Sequence, residues 1–291
     1  MDRLELKALG KINLGLDVLG VRENGYHDVR MVMQTIYLYD DVILKRRREP
    51  GIEVESNLYF LPTDENNIAY KAAQLLIDEF NIQGGVSITL KKHIPVSAGM
   101  AGGSSNAAAV LFGMNRMFKL GLNEQQLMER GVTLGADVPY CIKRGTVLAE
   151  GIGEELTVLP SIPKCYILIA KPPVSVSTKW VYERIDAGRD LKHPDIDGII
   201  AGLHQKDLKK VAASMGNILE EVTVKAYPVI EELKNSMKAS GALNAIMSGS
   251  GPTVFGIFSS RTSAKAAYRS IKQQKLAKQV YLTNAHVIKR R

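Results

Sequence analysis

At 291 residues, with 45% hydrophobic and 23% charged side chains, the chain has an ordinary globular composition and enough length for two domains or one large one. No apolar run approaches the ~20 residues that span a bilayer, which excludes a membrane-spanning class. The net charge of +8 rests on scattered clusters (Lys45 to Arg48, Lys209-Lys210, the lysines of 265–278, Lys289 to Arg291) with few interleaved aromatics, so solvated faces and attraction to anionic small molecules are expected, not a nucleic-acid platform. The opening Met-Asp-Arg-Leu-Glu-Leu is not a signal-peptide pattern, and Cys141 and Cys165 lie in apolar surroundings. A cytoplasmic protein with reduced, buried thiols is the expectation.

In chain order, Leu4–Ala8 and Ile12–Leu19 alternate as strands, and Glu23-Asn24-Gly25 marks a turn before a strand over Val29–Tyr39. Asp40-Asp41 is expected to interrupt, with strand resuming at Val42–Lys45 and again at Ile52–Ser56. Asn67–Phe80 carries apolar residues on one helical face, and Gly84-Gly85 ends that segment before a strand at Val86–Leu90. A small-residue loop follows, then an uncharged helix with Ala107, Val110, Leu111, Met114, Met117 and Phe118 at helical spacing. Asn123 and Gln126 form a capping-box pattern for a helix to about Leu134. Gly135 ends it, and Pro139 biases Val138 toward extended backbone, so Asp137 is expected at a helix exit.

Gly145–Gly153 reads as strand and turn, and Cys165–Ala170 as a buried strand stopped by Pro172-Pro173. Helices are expected at Thr178–Ile185, Leu208–Met215, Tyr227–Ser240 and Ser263–Lys275, with strands at Ala242–Met247, Val254–Ser259 and Val280–Ala285. The early strands are too hairpin-like for a doubly wound sheet, so an α+β architecture with mostly antiparallel sheets in two lobes is expected. A boundary is placed near residue 155, giving domains 1–155 and 156–291, with the last strand able to return to the N-terminal lobe.

The chemistry begins with residues 94–106, Ile-Pro-Val-Ser-Ala-Gly-Met-Ala-Gly-Gly-Ser-Ser-Asn. Without bulky side chains, peptide N–H groups can converge on phosphate oxygens, and a helix start adds partial positive charge. The lysine that ends a Walker A motif is missing, so this is a cradle of another kind. A small-residue loop of this sort is otherwise a tight turn.

Lys11-Ile12-Asn13-Leu14, this loop and Ser248-Gly249-Ser250-Gly251-Pro252-Thr253 come in an order and spacing that resembles the three signature motifs of the GHMP kinase superfamily. Gly25-Tyr26-His27, Gly135-Ala136-Asp137-Val138-Pro139, Gly151-Ile152-Gly153-Glu154 and Ser177-Thr178 with Val181-Tyr182 are similar to the branch that phosphorylates a hydroxyl of a cytidine-diphosphate-linked tetritol in isoprenoid precursor synthesis. Homoserine- or mevalonate-type kinases, and a basic nucleic-acid binder, are the competing readings. There are departures: Leu9-Gly10 stands where the family has Pro-Ala, Ser97 and Ala101 where it often has glycine, and Asn106 where aspartate is frequent.

The resemblance implies a two-lobed GHMP kinase fold with a cleft between the lobes, and ATP with Mg²⁺. Asp137 is the candidate base or orienting group for the substrate hydroxyl, with Lys11 as its partner. ATP is assigned to Pro95, Val96, Ser97, Ala98, Gly99, Met100, Ala101, Gly102, Gly103, Ser104 and Ser105. The last two hydroxyls serve as extra donors or Mg²⁺-side contacts, and Asn67 and Lys92 lie near the adenine. The cytidylyl substrate is assigned to Asn13, Tyr26, His27, Thr178, Tyr182 and Gly249. Mg²⁺ ligands and oligomeric state are not legible, and no nucleic-acid or membrane partner is expected.

Overall fold

The computed structural model describes residues 1–23, 25–185 and 191–288. Asn24 of the expected turn and the Lys289 to Arg291 cluster lie outside them. Two compact units interleave along the chain. The first comprises Met1–Gly10, Leu38–Val96 and Ala101–Lys143; the second comprises Lys11–Tyr37, Ser97–Met100 and Arg144–Arg291.

The first unit takes the beginning of β1 (Arg3–Val21) and the end of β2 (His27–Arg47). It adds β3 (Gly51–Ser56), α1 (Ile68–Phe80), β4 (Gly85–Lys91), α2 (Gly102–Phe118), α3 (Glu124–Leu134) and α4 (Val138–Lys143). Strand order is β3-β4-β2-β1, with β4 antiparallel to β2 (Asp41 opposite Lys91) and parallel to β3 (Ile52 opposite Val86). Asn67 caps α1 by accepting the Ala69 N–H at 2.9 Å. The expected capping box is present, Asn123 and Gln126 exchanging side-chain-to-backbone bonds of 2.9 Å at the start of α3.

Three expectations need correction here. Leu4–Ala8 and Ile12–Leu19 are one strand, because Leu9 and Gly10 between them are buried extended residues. Asp40-Asp41 does not interrupt β2: Asp40 is fully buried, with its carboxylate occupied by the N–H groups of His93 and Ile94. Pro139 does not force an extended segment either. It stands in the first turn of α4, where no N–H is needed, and Asp137 opens that helix, its carbonyl accepting the Cys141 N–H at 3.0 Å.

In the second unit β5 (Thr146–Glu150) pairs antiparallel with β2 (Met31 opposite Ala149) and forms a hairpin with β6 (Glu155–Val158). Then come β7 (Tyr166–Lys171), α5 (Thr178–Ile185), α6 (Ile196–His204), α7 (Leu208–Ser214), β8 (Gly216–Asn217) and α8 (Glu220–Ala226). The chain continues with α9 (Val229–Ala239), β9 (Asn244–Met247), β10 (Val254–Phe258), α10 (Arg261–Gln274) and β11 (Gln279–Asn284). The second sheet is antiparallel throughout, in the order β11-β7-β10-β9. Its centre is fully buried at Ile167 to Ala170 and at Val254, Phe255, Ile257 and Phe258, as their unbroken apolar runs require.

Besides α4, two helices had no expectation. α6 carries Gly198 and Gly202, which lower helix propensity but allow close packing: a Cβ at Gly202 would sit 2.8 Å from the Val211 amide nitrogen in α7. α8 begins after Leu219 with no side-chain cap, so only Glu220 and Glu221 in its first turn mark its start. Antiparallel pairing dominates the mixed α+β architecture; β1/β8 and β3/β4 are parallel. Among the described residues no helix is long and apolar enough to cross a membrane.

Candidate active site

The three separated motifs meet inside the second unit. The Lys11 N–H donates to the Met100 carbonyl (3.2 Å), and the Ser248 hydroxyl to the Gly99 carbonyl (2.8 Å). Gly99 has φ +70°, and a Cβ there would strike the Ser248 carbonyl oxygen. Gly249 has φ +57°, and its Cβ would come 3.2 Å from the Gly99 Cα and 3.5 Å from the Lys11 ammonium. Glycine is needed at both positions by backbone conformation and by space. Lys11 is buried and donates to Asn13 Oδ1 at 2.7 Å; the Asn13 amide faces the Met31 sulfur at 3.3 Å.

Residues with no sequence signal hold this arrangement. Asn217 donates to the carbonyls of Met247 (2.9 Å) and Gly249 (2.8 Å) and accepts the Leu219 N–H (3.0 Å). Glu220 accepts the Met247 N–H at 2.6 Å and pairs with Lys234 at 2.7 Å; burial pushes its carboxyl above the usual range. A lone asparagine in a two-residue strand carries no pattern by which it could be found.

The assigned substrate residues fall on the same unit. His27 and Tyr182 face each other with ring centroids 4.6 Å apart, and Tyr26, exposed, ends the turn in which its carbonyl accepts the Arg22 N–H (2.7 Å). The Thr178 hydroxyl is 2.8 Å from that of Ser250, joining the start of α5 to the third motif.

In the first unit, the 17-residue α2 begins after Ala101, which holds a left-handed conformation (φ 54°, ψ 33°) and offers no side-chain cap. No acidic residue occupies the first turn, and Ser105 is the first whose N–H returns into the helix, to Ala101 O at 2.8 Å. The N–H groups of Gly102, Gly103 and Ser104 therefore form an anion-receptive start. Ser97 is also left-handed, at φ 48°. Both departures from glycine thus fall on positions that favour glycine.

The Ser105 hydroxyl donates to the Leu9 carbonyl at 2.5 Å and lies 3.3 Å from the Cys141 sulfur, while its lone pairs remain able to accept. The Asn67 side chain is spent on capping α1 and on the Pro62 carbonyl (2.7 Å). Lys92 is buried against Asp40 and Asn106, and desolvation pulls its ammonium below the usual range despite the Asp40 charge. Asp137 is half-buried. Both cysteines are buried outside any disulfide, and burial raises the Cys165 thiol to about 12.

A model of the GHMP kinases N terminal domain matches residues 67–145, and one of the GHMP kinases C terminal domain matches residues 199–278. The chain belongs to the GHMP kinases. Over 284 residues this GHMP kinase is 58% identical to the 4-diphosphocytidyl-2-C-methyl-D-erythritol kinase of Lachnospira eligens, covering 97% of this chain and 98% of the relative. It is similar to a crystal structure of 4-(cytidine 5'-diphospho)-2C-methyl-D-erythritol kinase, with TM-score 0.82, 28% identity, and coverage of 97% and 99% of the two chains. A homoserine kinase from Cytophaga hutchinsonii shares the fold (TM-score 0.78, 21% identity, coverage 99% and 95%). The chain is thus an ATP-dependent small-molecule kinase of α+β fold, as the three motifs implied.

Proposed function

We propose that this GHMP kinase transfers the γ-phosphoryl group of ATP to a hydroxyl of 4-diphosphocytidyl-2-C-methyl-D-erythritol, giving the 2-phosphate and ADP, in the cytoplasm. The start of α2 carries the nucleotide half of this reading, since among the described residues its first turn has no side-chain cap and no acidic residue to meet its N–H donors and helix dipole. The substrate half is supported by the His27–Tyr182 ring pair and by the 58% identical relative of that name. A homoserine or mevalonate presents no pyrimidine to such rings.

In this reading the triphosphate lies along residues 95–105, with the N–H groups of Gly102, Gly103 and Ser104 on its oxygens. Asp137 accepts the hydrogen bond of the substrate hydroxyl. As the oxygen–phosphorus bond forms and the bond to the β–γ bridging oxygen breaks, that proton passes to the carboxylate. Lys11 offsets charge on the moving phosphoryl group. Asn13 keeps the Lys11 ammonium in place, the oxygen being 2.7 Å away. Tyr26, His27 and Tyr182 take the cytosine, and Thr178 and Gly249 the polar remainder of the substrate. Mg²⁺ bound with ATP supplies charge neutralisation at the β- and γ-phosphates. Such ions use phosphate oxygens, waters and one or two protein oxygens, and Ser104 and Asp137 have the right donor chemistry.

ADP release measured over a panel of the cytidylyl tetritol, homoserine and mevalonate tests the reading. Turnover with the cytidylyl substrate alone is the expected result. Preference for either other alcohol would overturn the substrate, and salt-sensitive RNA or DNA retention with no ADP release would overturn the kinase reading.

A further inference from the structure

The first unit contains a closed polar network in which Lys92 alone carries an expected ligand role, near the adenine. Asp40, near the middle of β2, is fully buried, and both of its oxygens are occupied. One accepts the N–H groups of His93 (2.7 Å) and Ile94 (2.8 Å); the other accepts the Asn106 amide (2.9 Å) and the Lys92 ammonium. The ammonium also donates to Asn106 Oδ1 at 2.6 Å. Behind it, Asn57 clamps the Lys92 backbone, accepting its N–H at 2.8 Å and donating to its carbonyl at 3.2 Å.

A network made for stability alone is a poor choice. Taking two charges out of water costs as much as their attraction returns, and apolar side chains of similar size do as well or better. What this one does achieve is placement. Lys92, His93 and Ile94 immediately precede Pro95-Val96, the entry to the 97–101 loop, while Asn106 lies one turn into α2, the exit. The ammonium is 3.4 Å from where a Cβ on Gly102 would stand, and Ile94 Cγ2 is 3.2 Å from it. One carboxylate thus sets both chain ends of the loop and the height of the first turn of α2.

We propose that Asp40 is a positioning residue for nucleotide binding: through Lys92, Asn106 and the backbone of His93 and Ile94 it fixes the start of α2 to receive the ATP phosphates. This rests on the reading that α2 takes the triphosphate. The network touches no group assigned to the alcohol substrate, so its loss acts on ATP.

Steady-state kinetics and binding of a fluorescent ADP analogue to full-length Asp40→Asn, Lys92→Gln and the double variant provide the test. Asp40→Asn sets an amide N–H₂ against a buried ammonium. The expected result is a rise of about 10-fold or more in KM for ATP and in Kd for the analogue, with kcat and KM for the alcohol within about 3-fold. The double variant, whose two amides can bond each other, is expected to recover part of that loss. A lowered melting temperature with unchanged KM for ATP, or equal losses in both substrates, overturns the proposal. Should Asp40→Asn fail to fold, Asn106→Ala leaves a carboxylate still held by the His93 and Ile94 N–H groups and the Lys92 ammonium and must show the same split. Gly103→Asp separates this from failure of the site itself. Gly103 is exposed, and a carboxylate there repels phosphate. If Gly103→Asp binds the analogue normally, the α2 reading is wrong; if it does not bind while Asp40→Asn does, only the positioning role is wrong.

Discussion

Ala101 and Gly99 allow the geometry of the loop to be tested in opposite directions. Ala101 holds φ 54° and ψ 33° as the residue before α2, and its side chain caps nothing. A non-glycine residue there costs about 1–2 kcal/mol against glycine, of which ~0.4–1 kcal/mol is returned through the freer unfolded chain when glycine replaces it. Ala101→Gly should therefore stabilise by about 0.5–1 kcal/mol, raising Tm by roughly 1–3 °C for a chain of this size. Gly99→Ala reverses the dihedral change at φ +70° and adds a Cβ against the Ser248 carbonyl oxygen, with the Gly251 nitrogen 3.3 Å away. Both neighbours are backbone and cannot swing aside, so overpacking adds to strain and the loss should reach about 2–4 kcal/mol. Thermal melts followed by circular dichroism, with ADP release on the same samples, measure both. A Tm for Ala101→Gly below that of the parent would refute the left-handed assignment. A stable, fully active Gly99→Ala would refute the packing of the second motif on the third.

Asp137→Asn is expected to lower kcat by about 10²–10⁴ while leaving ADP-analogue binding close to that of the parent, and near-normal turnover would end its assignment as base or orienting group. Tyr182→Ala should raise KM for the cytidylyl substrate by about 5- to 150-fold, the equivalent of roughly 1–3 kcal/mol of stacking, with KM for ATP unmoved. Asn217→Ala leaves the Met247 and Gly249 carbonyls without a buried donor, and urea melts should show a loss of about 1–3 kcal/mol. Burial raises the Cys165 thiol to about 12 against an ordinary 9.0, so the folded state favours the protonated form. That contribution is whole below about pH 9 and is lost as pH rises toward about 12, and Cys165→Ala should flatten the fall of stability across this window. Iodoacetamide at about pH 8.5 should label Cys165 only after denaturant is added.

Much of the site was legible because its chemistry is local in sequence. Small residues at 97–105 announce a close backbone approach, and the structure shows why at Gly99, whose missing Cβ makes room for a carbonyl 149 positions away. The capping box at Asn123 and the apolar periods of β7 and β10 are likewise written in neighbouring residues. Asp137 and Pro139 show the limit of such reading: the same proline that disfavours helix before it is also the residue best suited to a helix's first turn, and only the following residues' packing decides.

What escaped was whatever depends on partners far along the chain. Asp40 looks like a break because a carboxylate in a strand is normally solvated. Its partners, at 92–94 and 106, are more than fifty residues away, and only they turn the cost of burial into a fixed point. Asn217 is the same case on the other unit, a short polar residue whose three bonds go to Met247, Gly249 and Leu219. In each unit a buried polar side chain with no signature of its own holds a glycine-rich segment that has one. The motifs mark where a ligand can approach, and their unmarked supports determine how firmly the backbone waits for it. Substitution at Asp40 or Asn217 should therefore alter affinity and stability through the loop they hold, without any change at the residues assigned to the reacting atoms.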